Sequence, residues 1–422
     1  MKEIMKTAVV GIGSRGSSLI PDAILPAGEE FGVEIAAVLD AYRDRTKLGA
    51  DIVEERTGKR PKEAASYEEI LNDPDIDAVI ITAAWEPHID LAVKAMKAGK
   101  YVAFEVGGAY SVEDCWRLVH TFEETGVPCM LLENCCYDRR ELMTLRMVRE
   151  GLFGEIVHAG GGYCHDLREE IAFGRENRHY RLRNYMNRNC ENYPTHELGP
   201  IAKVFDINNG NRMMTLTSTA SSAKGLHDYV LRKKGTDDPL ADVDFLQGDV
   251  VTTVIKCAKG QTITLTLDTT LPRTYSRGFT VRGTRGAYFG ETDSVFLDGT
   301  HNAFEFKGKA LWGNAAEYEE AYQHPLWKEY DPRGGHGGID FLVICAFFEA
   351  LTAGTRPPID VYDAAAWMSI TALSEISIAQ GGAPVEIPDF TRGKWYMRGD
   401  IDGSLRFNLD RADVFEGFYQ KK

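Results

Sequence analysis

The 422-residue sequence predicts an α/β protein in two parts: a doubly wound parallel sheet in residues 1–133, then an α+β domain on an open, largely antiparallel sheet in residues 134–422. Three observations carry this reading. Short apolar runs alternate with segments of helical spacing up to about residue 133, the pattern of strands joined by crossover helices. Beyond that point the runs are rich in β-branched residues, alternate in polarity and are separated by turns. Two long apolar helical segments follow late in the chain, at 341–351 and 364–379.

Taken in order, residues 7–10 form the first apolar run. It ends in Gly11-Ile12-Gly13-Ser14-Arg15-Gly16, where a helical pattern starts. Residues 34–39 form the second, closed by Asp40, and 78–82 the third, introduced by the turn Asn72-Asp73-Pro74-Asp75. Residues 87–99 place Ile89, Val93 and Met96 at helical spacing and stop at Gly99. Strands at 101–104 and 128–132 flank a helix at 112–126. Residues 138–151 are helical, and strand runs follow at 156–157, 213–218, 250–256 and 262–269. Residues 168–192, rich in Arg, Asn and Tyr and without periodicity, read as a long functional loop.

Composition narrows the function. Lys plus Arg number 48 and Asp plus Glu 63, a net charge of −15. Such a field repels phosphate backbones, which argues against a nucleic-acid partner. The eight cysteines form no Cys-x-x-Cys pair and read as small buried hydrophobes, Cys135 and Cys136 included. No run of about 18 uninterrupted apolar residues suggests a membrane span, and residues 1–7 carry no apolar leader. The expectation is a soluble cytoplasmic protein without a membrane partner.

The glycine-rich turn follows a strand and opens a helix, the context of a Rossmann dinucleotide site. Gly11 permits the tight turn, Gly13 lets backbone approach a pyrophosphate, and Gly16 lets helix and strand pack closely. Ser14 and Arg15 lie on the helix N-terminus, whose N–H groups face the phosphates. Asp40 can accept hydrogen bonds from a ribose diol and would repel a 2′-phosphate, so the expected cofactor is NAD. Trp85 and His88, in the segment leaving the third strand, stand where a nicotinamide crosses the sheet edge. Glu105 ends a later strand and is expected among the cofactor contacts.

Three polar clusters fall where the two parts should meet: Glu133-Asn134-Cys135-Cys136-Tyr137, Tyr163-Cys164-His165, and Tyr193-Pro194-Thr195-His196. Tyr163 and His165 are two apart, so a strand presents both on one face. Tyr193 and His196 are three apart, so a first helical turn does the same, and Pro194 suits its start. Hydride transfer to NAD needs a base for the alcohol proton, and proton abstraction beside a ketone needs a second. His works near neutral pH, and Tyr can if a neighbouring cation lowers its pKa. The expected catalytic set is therefore Tyr163, His165, Tyr193, His196 and Glu133. Asn134, Tyr137 and His336 are expected substrate contacts, and Asp340 fits a helix cap. Glu133, His165 and His196 offer no compact ligand spacing, so no metal is expected.

The first half resembles the glucose-fructose oxidoreductase/inositol dehydrogenase (Gfo/Idh/MocA) family, with Glu105-Val106-Gly107 where its ordinary dehydrogenases carry Glu-Lys-Pro. Most of the chain is similar to one branch, the NAD-dependent glycoside hydrolases of family 109, the α-N-acetylgalactosaminidase group. The runs that carry this are Leu-Glu-Asn-Cys-Cys-Tyr (132–137), Val-Arg-x-Gly-x-Phe-Gly-Glu (148–155), Tyr-x-His-Asp-Leu-Arg (163–168), Tyr-Pro-Thr-His-x-Leu-Gly-Pro (193–200) and Gly-His-Gly-Gly-x-Asp (335–340). The resemblance implies that the branch's glutamate, two tyrosines and two histidines match Glu133, Tyr163, Tyr193, His165 and His196. It also implies a cycle in which NAD oxidises the sugar's C3 hydroxyl, the C2 proton is abstracted, the C1 group leaves, water adds and C3 is reduced again. Either anomer of a hexoside would serve, and a homo-oligomer (dimer or tetramer) is expected. Two alternatives stay open: a sugar or polyol dehydrogenase with net redox turnover, and an NAD-binding regulatory module without catalysis. Stoichiometric NADH build-up from free sugar would mark the first.

Overall fold

The computed structural model describes residues 4–302, 304, 311–328, 330–398 and 405–409. Strands β1 (Met5–Val10), β2 (Val33–Leu39), β3 (Lys62–Glu63), β4 (Ala78–Ile81), β5 (Tyr101–Phe104) and β6 (Cys129–Leu131) form one parallel sheet in the order β3-β2-β1-β4-β5-β6. Its central strands are apolar on both faces, because helices cover both; β4 is wholly buried. The order reverses beside β1, so a crevice opens at the carboxyl ends of β1 and β4, where Gly11 and Thr82 lie.

The helical run after the glycine turn is irregular. Ser14–Leu19 and Leu25–Phe31 are α-helical, with a π-helical stretch Ile20–Ile24 between them. Pro21 and Pro26 lack the N–H that a regular ladder requires, and the π stretch absorbs the mismatch.

A second sheet holds β7 (Ile156–Cys164), β8 (Met213–Ala220), β9 (Val250–Cys257), β10 (Thr262–Asp268), β11 (Thr280–Gly283), β12 (Gly286–Phe289), β13 (Ser294–Leu297) and β14 (Val385–Glu386). Its order is β13-β12-β11-β7-β10-β9-β8-β14, antiparallel everywhere except β7 against β10. One face buries Val251, Thr253, Ile255, Ile263, Leu265 and Leu267; the other carries Thr252, Val254, Thr262, Thr264 and Thr266, half-buried or exposed. The expected strand at 156–157 is the start of the nine-residue β7, hidden in the sequence by Gly160, Gly161 and Gly162. Two of those glycines are forced by close packing: a Cβ at Gly162 would lie 2.0 Å from Thr266 O, and one at Gly161 2.7 Å from Glu197 Oε2.

The long-loop reading of 168–192 is corrected. The segment holds the helices Arg168–Ala172 and Arg181–Asn187, each too short to declare a period. The apolar helix Ile339–Ala353 lies in the core against the Leu25–Phe31 helix and the turn Asn134–Tyr137. The stretch 336–353 is apolar and long enough to cross a membrane by composition, but 72% of it is buried inside the protein.

Candidate active site

The glycine turn passes a fit test for a dinucleotide. A Cβ at Gly11, whose φ is +100°, would sit 2.3 Å from Ala83 N, and one at Gly16 2.1 Å from Gly11 O. Both glycines answer to the protein's own packing. At Gly13 a Cβ would meet nothing nearer than Arg45 Nη1 at 3.7 Å, so only an approaching ligand needs that position bare. Asp40 accepts from Ile12 N (2.6 Å) and Tyr42 N (2.9 Å), which braces the turn and leaves each oxygen a second lone pair.

Past β4, His88 is fully buried. Its Nε2 bonds Ala83 O at 2.8 Å, and burial lowers its pKa to about 4, so it is neutral and braces this loop. Trp85 occupies the slot beside β5. A Cβ at Gly107 would lie 2.4 Å from its ring, and Val106, where the dehydrogenase lysine would stand, is buried and apolar. The indole faces Tyr180 (4.8 Å between centroids) and Tyr193 (5.4 Å).

The two Tyr–His pairs meet. Tyr163 donates its hydroxyl to His165 Nδ1 at 3.1 Å in the tautomer that leaves Nδ1 bare. The Tyr163 ring lies 4.3 Å from Tyr193 and 5.5 Å from His196, and Tyr193 lies 4.7 Å edge-on from His196. The helix Thr195–Val204 begins after Pro194 and presents His196 on its first turn. His196 Nδ1 bonds Glu133 Oε1 at 2.7 Å. Gly199 lets this helix come close, because a Cβ there would press on Glu133 Cγ at 2.8 Å. Burial opposes ionisation of Glu133, but the charge and hydrogen bond of His196 outweigh it and hold its pKa below the usual carboxylate value. Burial raises the Tyr163 pKa, with the Arg181 cation pulling the other way; burial and that cation together lower His165.

Tyr137 is not placed to touch a substrate. It is fully buried, with its hydroxyl donated to Phe407 O at 3.0 Å. Asn134 Nδ2 donates to Asp340 Oδ1 at 2.7 Å, and the exposed His336 lies 2.8 Å from Asp340 Oδ2. Glu105 Oε1 accepts from Arg15 Nε at 2.8 Å. Glu133, Cys135 and His196 gather tightly enough to form a ligand set; Oε1 of Glu133 is shared by His196 and Cys135 N at 3.1 Å, while its buried Oε2 meets no hydrogen-bond partner among the described residues.

Three residues that the sequence did not single out complete the site. Arg181 lies 5.4 Å from the ring centroids of Trp85 and Tyr193 and pairs with Glu170 at 2.6 Å. Tyr275 stands edge-on to Tyr163 (6.4 Å) and His165 (5.2 Å). Half-buried Arg277 anchors that Tyr275 segment on Asp138 (2.7 Å) and Glu141 (2.8 Å), while its carbonyl accepts from Gly162 N beside Tyr163 at 2.8 Å. Only the unexplained Arg richness of 168–192 hinted at any of them.

Comparison with known proteins agrees with this layout. Residues 5–132 match the oxidoreductase family with an NAD-binding Rossmann fold, and residues 137–397 match the C-terminal domain of glycosyl hydrolase 109. The chain is 43% identical over 354 residues to an alpha-N-acetylgalactosaminidase of Tannerella forsythia, covering 79% of this chain and 74% of that protein. It is 38% identical to a glycosyl hydrolase family 109 protein of Stenotrophomonas maltophilia, covering 94% and 91%. Among solved structures, a levoglucosan dehydrogenase complexed with NADH and levoglucosan superposes with a TM-score of 0.66 at 18% identity, covering 91% of this chain and 99% of that one.

Proposed function

From the premise that this chain belongs to glycosyl hydrolase family 109 and is an NAD-dependent glycoside hydrolase on an oxidoreductase fold, we propose that it cleaves hexosides by elimination and re-addition of water, with no net redox change. The observation that carries this is the convergence of Tyr163–His165 and Tyr193–His196–Glu133 beside Trp85. Bound NAD would accept a hydride from sugar C3 and return it. Everything else falls to the chain.

His196, oriented through Nδ1 by Glu133, keeps Nε2 free to take the C3 hydroxyl proton, with Tyr193 beside it. Tyr163 takes the C2 proton, and Arg181 is the cation that eases its ionisation. His165, bonded to Tyr163, assists the leaving group and then the entering water. Because no carboxylate pair astride the glycosidic bond is needed, both anomers are accepted. The buried Val106 supports this over a dehydrogenase that uses a lysine there. The Tannerella relative's name makes α-N-acetylgalactosaminides the first substrates to try. The half-bare face of the second sheet supports a homo-oligomer, dimer or tetramer.

A panel of nitrophenyl glycosides of both anomers tests the reading. Cleavage should depend on bound NAD and should exchange the C2 hydrogen for deuterium in heavy water. Equal cleavage by dinucleotide-stripped protein, or full retention of that hydrogen, refutes it.

A further inference from the structure

The network around Asp340 has no part in the chemistry above. Asp340 sits on the first turn of the helix Ile339–Ala353, 1% exposed, and its two oxygens take four polar contacts. Arg15 grips it in a bidentate pair, Nη1 to Oδ2 at 2.6 Å and Nη2 to Oδ1 at 2.8 Å. Asn134 Nδ2 adds a bond to Oδ1, and His336 Nδ1 one to Oδ2. The glycine-rich stretch before the helix is wrapped against it: a Cβ at Gly335 would lie 2.6 Å from Asp340 Oδ2. Burial opposes its charge, yet these donors hold the carboxyl well below the usual range.

Arg15 belongs to the glycine turn, and its Nε reaches Glu105 at the end of β5. One guanidinium therefore ties three elements: the turn after β1, the end of β5, and a helix 325 positions away in sequence. A dinucleotide on this sheet runs along the same carboxyl-end crevice, from the turn toward β4 and β5. Arg15 reaches from the turn to the end of β5, and Asp340 fixes its guanidinium there.

We propose that Asp340 is a positioning residue for cofactor retention, latching Arg15 across the dinucleotide crevice so that bound NAD leaves slowly. Bidentate guanidinium–carboxylate geometry fixes direction as well as distance, which a single lysine contact would not. In this proposal release of the dinucleotide swings Arg15 away, and that takes from buried Asp340 its bidentate guanidinium partner. The inference rests on NAD binding alone and not on the hydrolytic cycle.

The test measures release of labelled NAD from the holoprotein, chased with excess unlabelled NAD, without any glycoside present. Asp340→Asn and Arg15→Met should each release NAD about 10- to 100-fold faster than wild type, the scale of a lost charge-assisted bond. The double variant should be no faster than the faster single one, because both cut the same link. Acceleration below about fivefold for Asp340→Asn, or additive effects in the double variant, overturns the proposal. A merely structural Asp340 would act equally in either Arg15 background. Should Asp340→Asn not fold, hydrogen exchange on wild type decides: NAD should protect 336–342 as well as 11–16, and unprotected 336–342 overturns the latch. None of these readouts involves glycoside cleavage, so failure of the latch and failure of the elimination reading are separate results.

Discussion

Glu133→Gln is the sharpest probe of the site. Glu133 is fully buried and meets His196 Nδ1 at 2.7 Å. Its carboxylate can only accept there, so Nδ1 carries a proton, and in the neutral form of the ring Nε2 is bare for the substrate hydroxyl. Glutamine preserves volume but removes the charge, and its amide can turn its NH2 toward Nδ1 and favour the opposite tautomer. Loss of a hydrogen bond to a charged group costs about 1.5–3 kcal/mol, which at about 1.4 kcal/mol per decade is about 10- to 150-fold. Tautomer misassignment adds to this, so kcat/KM on a nitrophenyl glycoside should fall on the order of 10²–10³-fold. The bound NAD content should be unchanged, because Glu133 acts through His196. A variant within about threefold of wild type would refute the positioning role.

The same substitution has a pH signature. The folded-state pKa of Glu133 lies below the usual carboxylate value. Its ionised form therefore stabilises the fold above that usual value, and the contribution is lost as pH falls through the lower, folded one. Thermal melts should show wild type losing stability more steeply than Glu133→Gln on acidification through this window. Parallel acid limbs would show that the pair does not stabilise the fold.

Other expectations follow from the same geometry. Tyr163→Phe should cut cleavage by at least about 100-fold and abolish C2 deuterium exchange while NAD stays bound, as judged by dinucleotide extracted from purified protein. Arg181→Met should lower kcat by about tenfold or more, whereas Arg181→Lys should recover part of the loss because charge without the planar fork survives; equal rates in the two would remove the cation from the scheme. Gly13→Ala should leave the melting temperature of NAD-free protein nearly unchanged, since the added methyl meets only Arg45 at 3.7 Å, yet weaken NAD binding about tenfold or more by calorimetry. Gly11→Ala, by contrast, should destabilise the fold itself, because its methyl would strike Ala83 backbone at 2.3 Å and its φ is +100°.

Five strands of the first sheet were legible because their information is local: each is a short apolar run, and helices between them close at Gly58, Gly99 or Gly126; the two-residue β3, Lys62–Glu63, has no apolar signal and escaped. The pairing of Tyr163 with His165 and of Tyr193 with His196 was legible too, since spacing on a strand or a helical turn decides it. What escaped depends on approach between distant segments. β7 looked like two residues because its middle is three glycines, two of them selected by Thr266 and Glu197 rather than by strand propensity. Arg181 and Arg188 looked like loop arginines, yet both are buried, one among aromatic rings and the other on Glu375 at 2.6 Å. Tyr137 lay beside Glu133 in sequence, but the turn Asn134–Tyr137 sends the two side chains to different partners, one to Phe407 and the other to His196.

Substitutions at the end of β5 bear on how a redox scaffold comes to hydrolyse. A lysine at position 106 would place a permanent cation beside the nicotinamide slot, suited to handling one alcohol proton in net oxidation. Here Val106 and Gly107 withdraw that charge and clear a space that Trp85 fills. Trp85 in turn backs Tyr193, which touches both Tyr163 and His196. In the proposed scheme acid–base work moves off the cofactor domain and onto the second sheet and the helix Thr195–Val204, where Tyr163 and His196 stand side by side. Elimination needs two such groups at neighbouring carbons, and a single lysine cannot supply them. Restoring the lysine as Val106→Lys should therefore not create a dehydrogenase. It would bury an ammonium under Trp85 with no carboxylate to spare, as Glu105 is held by Arg15. The expected outcome is loss of NAD-dependent cleavage without gain of NADH production from free sugars; appreciable NADH production would show that the scaffold, and not the second sheet, sets the reaction.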